Sequence, residues 1–101
     1  MIKSASNDNE EIWFVYILEC KGGRLYTGIS NDVARRFDKH ASGKGAMFTR
    51  LNKPIRVLAW NAYPNKSEAA KIESRLKKFS REGKLDWVEF YSKANEINII
   101  S

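Results

Sequence analysis

The chain is short, basic and rich in apolar residues. Of its 101 residues, 43% are hydrophobic and 12% aromatic, and 18 Lys and Arg against 12 Asp and Glu give a net charge of +6. That length predicts one domain with a single core. No apolar run is long enough to span a bilayer, and Met1 to Ser6 lack the apolar segment of a signal peptide. The single cysteine, Cys20, excludes an internal disulfide or a zinc cluster and fits a reducing cytoplasm, and the charge favours nucleic acid as partner.

The first half of the chain predicts a hairpin and a helix. Residues 1–11 are polar and are expected to form a flexible tail. The β-branched and aromatic run Ile12 to Leu18 predicts a strand that is buried on both faces. Lys21-Gly22-Gly23 predicts a turn, and Arg24 to Ile29 the returning strand. Ser30-Asn31-Asp32 supply capping side chains for a helix that ends near Ser42.

The second half predicts one further strand and two helices. We expect a loop over Met47 to Pro54, a strand over Ile55 to Tyr63, a helix from Ser67 to Ser80, a turn over Arg81 to Lys84, and a short helix over Leu85 to Tyr91. The order ββαβαα predicts an α+β fold, with a small three-stranded, mostly antiparallel sheet flanked by helices. The expected domain covers residues 12–92, followed by a C-terminal tail over 93–101 whose structure the sequence leaves unassigned.

Two tyrosines, Tyr16 and Tyr26, stand on the two hairpin strands, and the turn decides whether they meet. A three-residue loop pairs Cys20 with Arg24 and puts both phenols on one face, one diagonal apart. A two-residue Gly-Gly turn puts them on opposite faces. The sequence leaves both arrangements open, and ordinary core packing remains the simpler role for tyrosines in strands.

The two longer helices each carry polar residues at the edge of an apolar stripe. In the first helix, Arg36 and His40 share one shoulder of the stripe, either as ligand-facing groups or as plain rim residues. In the second helix, Glu73 lies at the edge of its stripe, where it either holds a divalent metal or pairs with Lys77. The stripes themselves are Val33, Ala34, Phe37 and Ala41 in the first helix, and Ala69, Ile72, Leu76 and Phe79 in the second.

Together these residues resemble a known family. Val15-Tyr16-Ile17, Leu25-Tyr26-Thr27-Gly28, then Arg36, His40 and Glu73 are similar, in order and spacing, to the GIY-YIG nuclease superfamily. The small stand-alone bacterial branch, the YhbQ-like proteins, is the most similar, and Ser42 to Arg50 resembles the stretch that marks it. The resemblance covers about Trp13 to Tyr91.

The resemblance implies hydrolysis of phosphodiester bonds with one divalent cation, Mg²⁺ or Mn²⁺. Glu73 would be the metal ligand, Arg36 would stabilise charge on the phosphate, and Tyr16 would activate water while Tyr26 orients the phosphate. His40 would position a tyrosine or a water, or contact phosphate. Three residues would line the nucleic-acid groove: Lys44, Thr49 and Arg50.

The expected function is a DNA endonuclease that selects substrates by shape, such as the flaps, branches and nicks met in DNA repair. RNA remains an alternative polymer, and no membrane or small-molecule cofactor is expected. The main alternative is a nucleic-acid-binding module that has the fold without the chemistry, because no asparagine follows Glu73 shortly, where larger members carry one. A small protein-interaction domain is a third class.

Overall fold

The computed structural model describes the backbone of residues 11–100 and the side chains of residues 11–95, so most of the expected N-terminal tail lies outside the described residues. The strands are β1 (Trp13–Cys20), β2 (Arg24–Ser30) and β3 (Pro54–Tyr63). The helices are α1 (Val33–Ala41), α2 (Met47–Leu51), α3 (Lys66–Lys77) and α4 (Arg81–Ile100). The strand order is β2-β1-β3 with both pairings antiparallel, which confirms the expected α+β fold.

The central strand separates two apolar clusters, as the uninterrupted apolar run predicts. Val15 and Ile17 face one side of the sheet, where they pack with Ala69 and Leu76 of α3. Tyr16, Leu18 and Cys20 face the other side, against side chains of α1 and β3. All five of these β1 residues are at most 1% exposed, so β1 is buried on both faces. Strand β1, which carries Tyr16, is therefore packed tightly on both faces.

Two helical segments lie where the sequence predicts irregular structure. The expected loop over Met47 to Pro54 contains the one-turn helix α2, which is too short to show a helical period in the sequence. The expected turn over Arg81 to Lys84 is the first turn of α4, because the Ser80 hydroxyl accepts from the Gly83 amide 3.1 Å away and caps the helix. Helix α4 then continues to Ile100, across the domain edge expected at residue 92.

Two apolar side chains lie outside the stripes to which the helical period assigned them. Phe79 is 48% exposed because α3 ends at Lys77 and the chain leaves the helical path before it. Ala34 is exposed because the buried face of α1 is narrower than predicted, with Val33 and Phe37 packed on the sheet. Within the described residues, none of the helices has the length and apolar character needed to cross a membrane.

Helix α4 packs on the core through Trp87 and Val88, and its Asn95 side chain forms hydrogen bonds with the outer edge of the sheet. Asn95 Nδ2 donates to the carbonyl oxygen of Trp60 at 3.1 Å, and Asn95 Oδ1 accepts from the Trp60 amide at 3.1 Å. The amide side chain thus satisfies both backbone groups of Trp60 in β3, as a neighbouring strand would.

Candidate active site

The turn between β1 and β2 decides how the hairpin presents its side chains. Cys20 pairs with Arg24 across a three-residue turn, which is the first of the two arrangements left open by the sequence. Gly22 and Gly23 adopt φ values of +80° and +77°, a region that strongly favours glycine. The register of the whole hairpin is set by this turn.

In that register the two tyrosines lie on one face of the sheet. Tyr16 pairs with Gly28 and Leu18 pairs with Tyr26, so the phenols are diagonal neighbours with ring centroids 6.5 Å apart. Glycine at position 28 leaves the room for this arrangement, because a Cβ there would lie 2.6 Å from Tyr16 Oη and 3.1 Å from Tyr26 Cε2. The proximity of the Tyr16 ring thus explains why the Tyr-Thr-Gly motif ends in a glycine, Gly28.

His40 of α1 links the Tyr16 phenol to the interior of the protein. Its Nε2 lies 3.1 Å from Tyr16 Oη, and its Nδ1 lies 2.8 Å from the Thr49 hydroxyl. The Thr49 hydroxyl in turn donates to the carbonyl oxygen of Ala46 at 2.9 Å. His40 and Thr49 are 2% and 1% exposed, so the chain of hydrogen bonds is shielded from solvent.

The direction of the hydrogen bonds follows from their last member. A carbonyl only accepts, so the one hydroxyl hydrogen of Thr49 goes to Ala46, and Thr49 Oγ1 accepts from Nδ1–H of His40. In the neutral imidazole Nε2 is then the acceptor, and Tyr16 donates to it. In this order the lone pairs of the Tyr16 oxygen are not used by His40 and can accept a further hydrogen bond.

Burial and neighbouring charges set the protonation of this pair. Burial raises the pKa of the Tyr16 phenol well above its ordinary value, Tyr26 and Glu73 raise it further, and the Arg36 charge lowers it. Burial also lowers the pKa of His40, and the Arg36 guanidinium adds to that effect. Tyr16 is therefore a neutral phenol and His40 a neutral imidazole at pH 7.

The remaining two predicted catalytic residues, Arg36 and Glu73, lie on different helices. Arg36 lies one turn before His40 on α1 and is exposed. Glu73 lies on α3, with its side chain 20% exposed. The charges of both side chains act on the pKa of Tyr16: Arg36 lowers it and Glu73 raises it.

Glu73 also forms the ion pair that the sequence allowed as the simpler role. Its Oε2 lies 3.3 Å from Lys77 Nζ, one turn along α3. Among the described residues no three acidic, histidine or cysteine side chains gather into a metal cluster. A single half-buried carboxylate, completed by water and substrate oxygens, nevertheless fits the usual coordination of Mg²⁺.

The three residues expected to line a groove divide into two exposed cations and one buried hydroxyl. Lys44 and Arg50 are exposed on the segment between α1 and β3. The prediction for Thr49 is wrong, because its side chain is buried and its hydroxyl is engaged by His40 and Ala46. Sequence reasoning missed the role of Thr49 because no recognisable spacing joins a threonine to a histidine nine residues before it.

Basic residues also surround a shallow cavity of about 220 Å³ beside Arg36. It lies between the end of β2 and the exposed side of α1. Its lining residues are Ser30, Asn31, Asp32, Arg35, Arg36 and Lys39. Three of these side chains are cations and one, Asp32, is acidic, so the cavity has a net positive charge that suits an anionic group.

Comparison with known proteins identifies the family of the domain. The sequence model of the GIY-YIG catalytic domain matches residues 12–86. A UPF0213 protein of Cupriavidus pinatubonensis is 54% identical over 76 residues, which cover 75% of this chain and 84% of that protein. A UPF0213 protein of Xanthomonas axonopodis pv. citri is 43% identical over 77 residues, 76% of each chain.

A solved structure extends the comparison to the fold. The solution NMR structure of the UPF0213 protein BH0048 from Bacillus halodurans superposes with a TM-score of 0.51 at 49% identity, covering 78% of this chain and 84% of that one. The matched domain implies a nuclease-type function on nucleic acid, a class that generally depends on a divalent metal. The chain belongs to the GIY-YIG superfamily, within its small bacterial UPF0213, or YhbQ-like, branch.

Proposed function

We propose that the protein is a metal-dependent endonuclease that hydrolyses phosphodiester bonds in DNA and selects its substrate by shape. The observation that carries the proposal is the buried hydrogen-bond chain from Thr49 through His40 to the Tyr16 phenol, with Arg36 and Glu73 near enough to act on that phenol. Buried, oriented proton carriers beside a cation and a carboxylate are a combination that catalysis needs and packing does not.

The order of the hydrogen bonds supports a relay of two coupled proton transfers. The attacking water gives its proton to the Tyr16 oxygen as the Tyr16 proton passes to Nε2 of His40, and the water oxygen forms its bond to phosphorus. The leaving oxygen departs with the electron pair of the broken P–O bond, and His40 carries the added proton as an imidazolium. Tyr16 itself then never has to become a phenolate, which its burial disfavours.

The other residues supply charge and orientation. Arg36 offers a planar fork to the phosphate oxygens as negative charge grows on them, and Tyr26 orients the same group. Glu73 would hold Mg²⁺ or Mn²⁺, which supplies Lewis-acid polarisation of the phosphate and stabilisation of the leaving oxygen when bound. Lys44 and Arg50 would contact the DNA backbone and position it without reading its sequence.

A matched pair of variants tests the proposal. Labelled linear, nicked and branched DNA are incubated with and without Mg²⁺ and with Glu73→Gln or Glu89→Gln. Both glutamates lie in i,i+4 ion pairs, with Lys77 and Lys93, so each substitution removes one carboxylate and frees one lysine. We expect cleavage by the wild type only with metal, a loss of about a hundredfold or more in Glu73→Gln, and no loss in Glu89→Gln.

The Glu73–Lys77 ion pair favours a second candidate, a nucleic-acid-binding module without hydrolytic activity. In that case Lys77 already uses the carboxylate that the metal would need. The module predicts DNA affinity that decreases with salt, no cleavage of any substrate, and the same affinity in Glu73→Gln and Glu89→Gln.

A further inference from the structure

A second basic surface lies at the turn end of the hairpin, away from the cavity beside Arg36. We name it the turn-end groove, an open cavity of about 340 Å³. It lies between the start of β2, helix α2 and the first turn of α4. Its lining residues are Arg24, Leu25, Phe48, Arg81 and Lys84.

The charge of the turn-end groove has one sign. Three of its five side chains, Arg24, Arg81 and Lys84, are cationic, and none is acidic. Among the described side chains, the salt bridges involve other cations, namely Arg56, Lys71, Lys77 and Lys93. Arg24 donates a hydrogen bond to the carbonyl oxygen of Lys21 at 3.3 Å, but no carboxylate lines the groove to neutralise its three cations, so the groove favours an anionic partner.

An aromatic ring stands among these cations. Phe48 is 37% exposed, and its ring lies 5.8 Å from the ring of Tyr26 at an interplanar angle of 32°. The groove thus offers a stacking surface that adjoins the active-site tyrosine. Aromatic rings beside cations are how proteins hold single-stranded nucleic acid, since each base has a π-face. Bases inside a duplex are already stacked on one another, so only an unpaired base can use Phe48 in this way.

Strand β2 sets the distance between the two basic surfaces. Arg24 lies in the turn-end groove, and Ser30 lines the cavity that contains Arg36. Six residue steps of strand separate them, about 20 Å at an extended rise of about 3.3 Å per residue. Tyr26 and Gly28 lie between the two ends. A DNA strand laid along β2 would therefore meet cations on both sides of the tyrosines.

We propose that the turn-end groove binds an unpaired segment of the DNA substrate next to the bond that is cut. This inference rests on the proposed endonuclease function and narrows its substrates to junctions between duplex and single-stranded DNA. Phe48 stacks on an unpaired base, and Arg24, Arg81 and Lys84 contact the phosphates on either side of that base.

Binding measured without cleavage tests the groove. In a Glu73→Gln background, fluorescence anisotropy gives the affinity for oligothymidylate and for a duplex of equal length. We expect Phe48→Ala to weaken oligothymidylate binding about tenfold and duplex binding little. Phe48→Trp should restore the affinity. The matched control is Phe90→Ala, which removes an exposed ring on α4 that is 67% exposed and lies outside the groove.

Charge variants test the phosphate contacts. The slope of log affinity for oligothymidylate against log salt concentration should become less negative by about 0.7 in Arg81→Gln, and by the same amount in Lys84→Gln. Lys93→Gln, on the same helix but outside the groove, is the control. Equal effects of Phe48→Ala and Phe90→Ala, equal weakening of duplex and single strand, or tighter binding of the RNA counterpart would each overturn the proposal.

Cleavage separates this inference from the function on which it rests. If the wild type cuts branched DNA but Phe48→Ala binds oligothymidylate normally, the endonuclease proposal stands and the proposal for the turn-end groove is wrong. If the wild type cuts no substrate but binding of oligothymidylate still depends on Phe48, the endonuclease proposal is wrong and the turn-end groove remains a site for single-stranded DNA.

Discussion

The Tyr16 hydroxyl lies 3.1 Å from Nε2 of His40, and this contact joins β1 to α1 across 24 residues of sequence. Both partners are at most 2% exposed, so the contact is part of the core as well as of the proposed active site. Tyr16 donates a hydrogen bond that His40 accepts, and buried partners of this kind have no water to replace each other. The free energy of the contact therefore depends on the protonation of both residues. Stability and activity should therefore respond together to pH and to substitutions along the hydrogen-bond chain.

Activity should rise with pH through an ionisation below 6.5. The relay requires neutral His40, and burial and Arg36 hold the pKa of His40 below its ordinary value of 6.5. A pH–rate profile of DNA cleavage at saturating Mg²⁺ should thus reach its plateau before pH 7. A rate that instead falls as the pH rises from 5 to 7 would contradict the relay.

Stability should decrease with acidification over the same range. The folded state disfavours the imidazolium, so below pH 6.5 the unfolded chain binds more protons, and unfolding becomes easier until the lowered pKa of His40 is passed. Urea unfolding at several pH values measures this effect. His40→Gln, which has no group titrating in this range, should lose that part of the dependence.

Thr49 should matter through its hydroxyl alone. Thr49→Val keeps the shape but leaves Nδ1–H of His40 buried without an acceptor, which costs about 1–3 kcal/mol of unfolding free energy. Cleavage should also fall, because the His40 tautomer is no longer fixed. Thr49→Ser should recover most of both properties, whereas a loss in Thr49→Ser with none in Thr49→Val would show that the methyl group matters and the hydroxyl does not.

A pair of glycine variants should separate crowding at the site from backbone strain. Gly28→Ala places a Cβ 2.6 Å from Tyr16 Oη and should displace the ring, with a large loss of cleavage. Gly43→Ala meets nothing within 4 Å but must keep a φ of +81°. It should lower the free energy of unfolding by about 1 kcal/mol and leave the cleavage rate unchanged. Cleavage assays and thermal unfolding distinguish the two.

Asn95 should contribute to stability although it lies far along α4. Asn95→Leu leaves the amide and carbonyl of Trp60 without this partner, at a cost of about 1–3 kcal/mol in unfolding free energy. The neighbouring substitution Lys93→Gln, at an exposed position, is expected to stay within about 0.5 kcal/mol of the wild type. Urea titrations of both variants give the comparison.

The long elements of the fold follow from local patterns, and the short ones do not. The apolar run in β1 and the capping side chain of Asp32, which accepts from the Arg35 amide at 3.1 Å, are visible in the sequence. Helix α2 is missed because its one turn is held by tertiary contacts, with Thr49 anchored to His40. The first turn of α4 is missed because Gly83 has a low helix propensity, although Ser80 caps this end of the helix.

The residues of the candidate site could be predicted from the sequence, but the register and the hydrogen bonds that connect them could not. Spacing and family resemblance name Tyr16 and His40 as site residues, and parity leaves only two options for Tyr26. The choice between those options depends on a three-residue turn that two left-handed glycines allow. The hydrogen-bond direction depends on Thr49 and a backbone carbonyl, whose positions only the folded chain defines.

The lone thiol of the chain offers a practical advantage for labelling. Cys20 is fully buried, and burial raises its pKa, so both access and thiolate fraction are low at neutral pH. Alkylating dyes should leave it untouched in the folded protein. A cysteine introduced at an exposed position such as Ser74 would then be the single point of attachment for a fluorophore, with the native thiol kept in place.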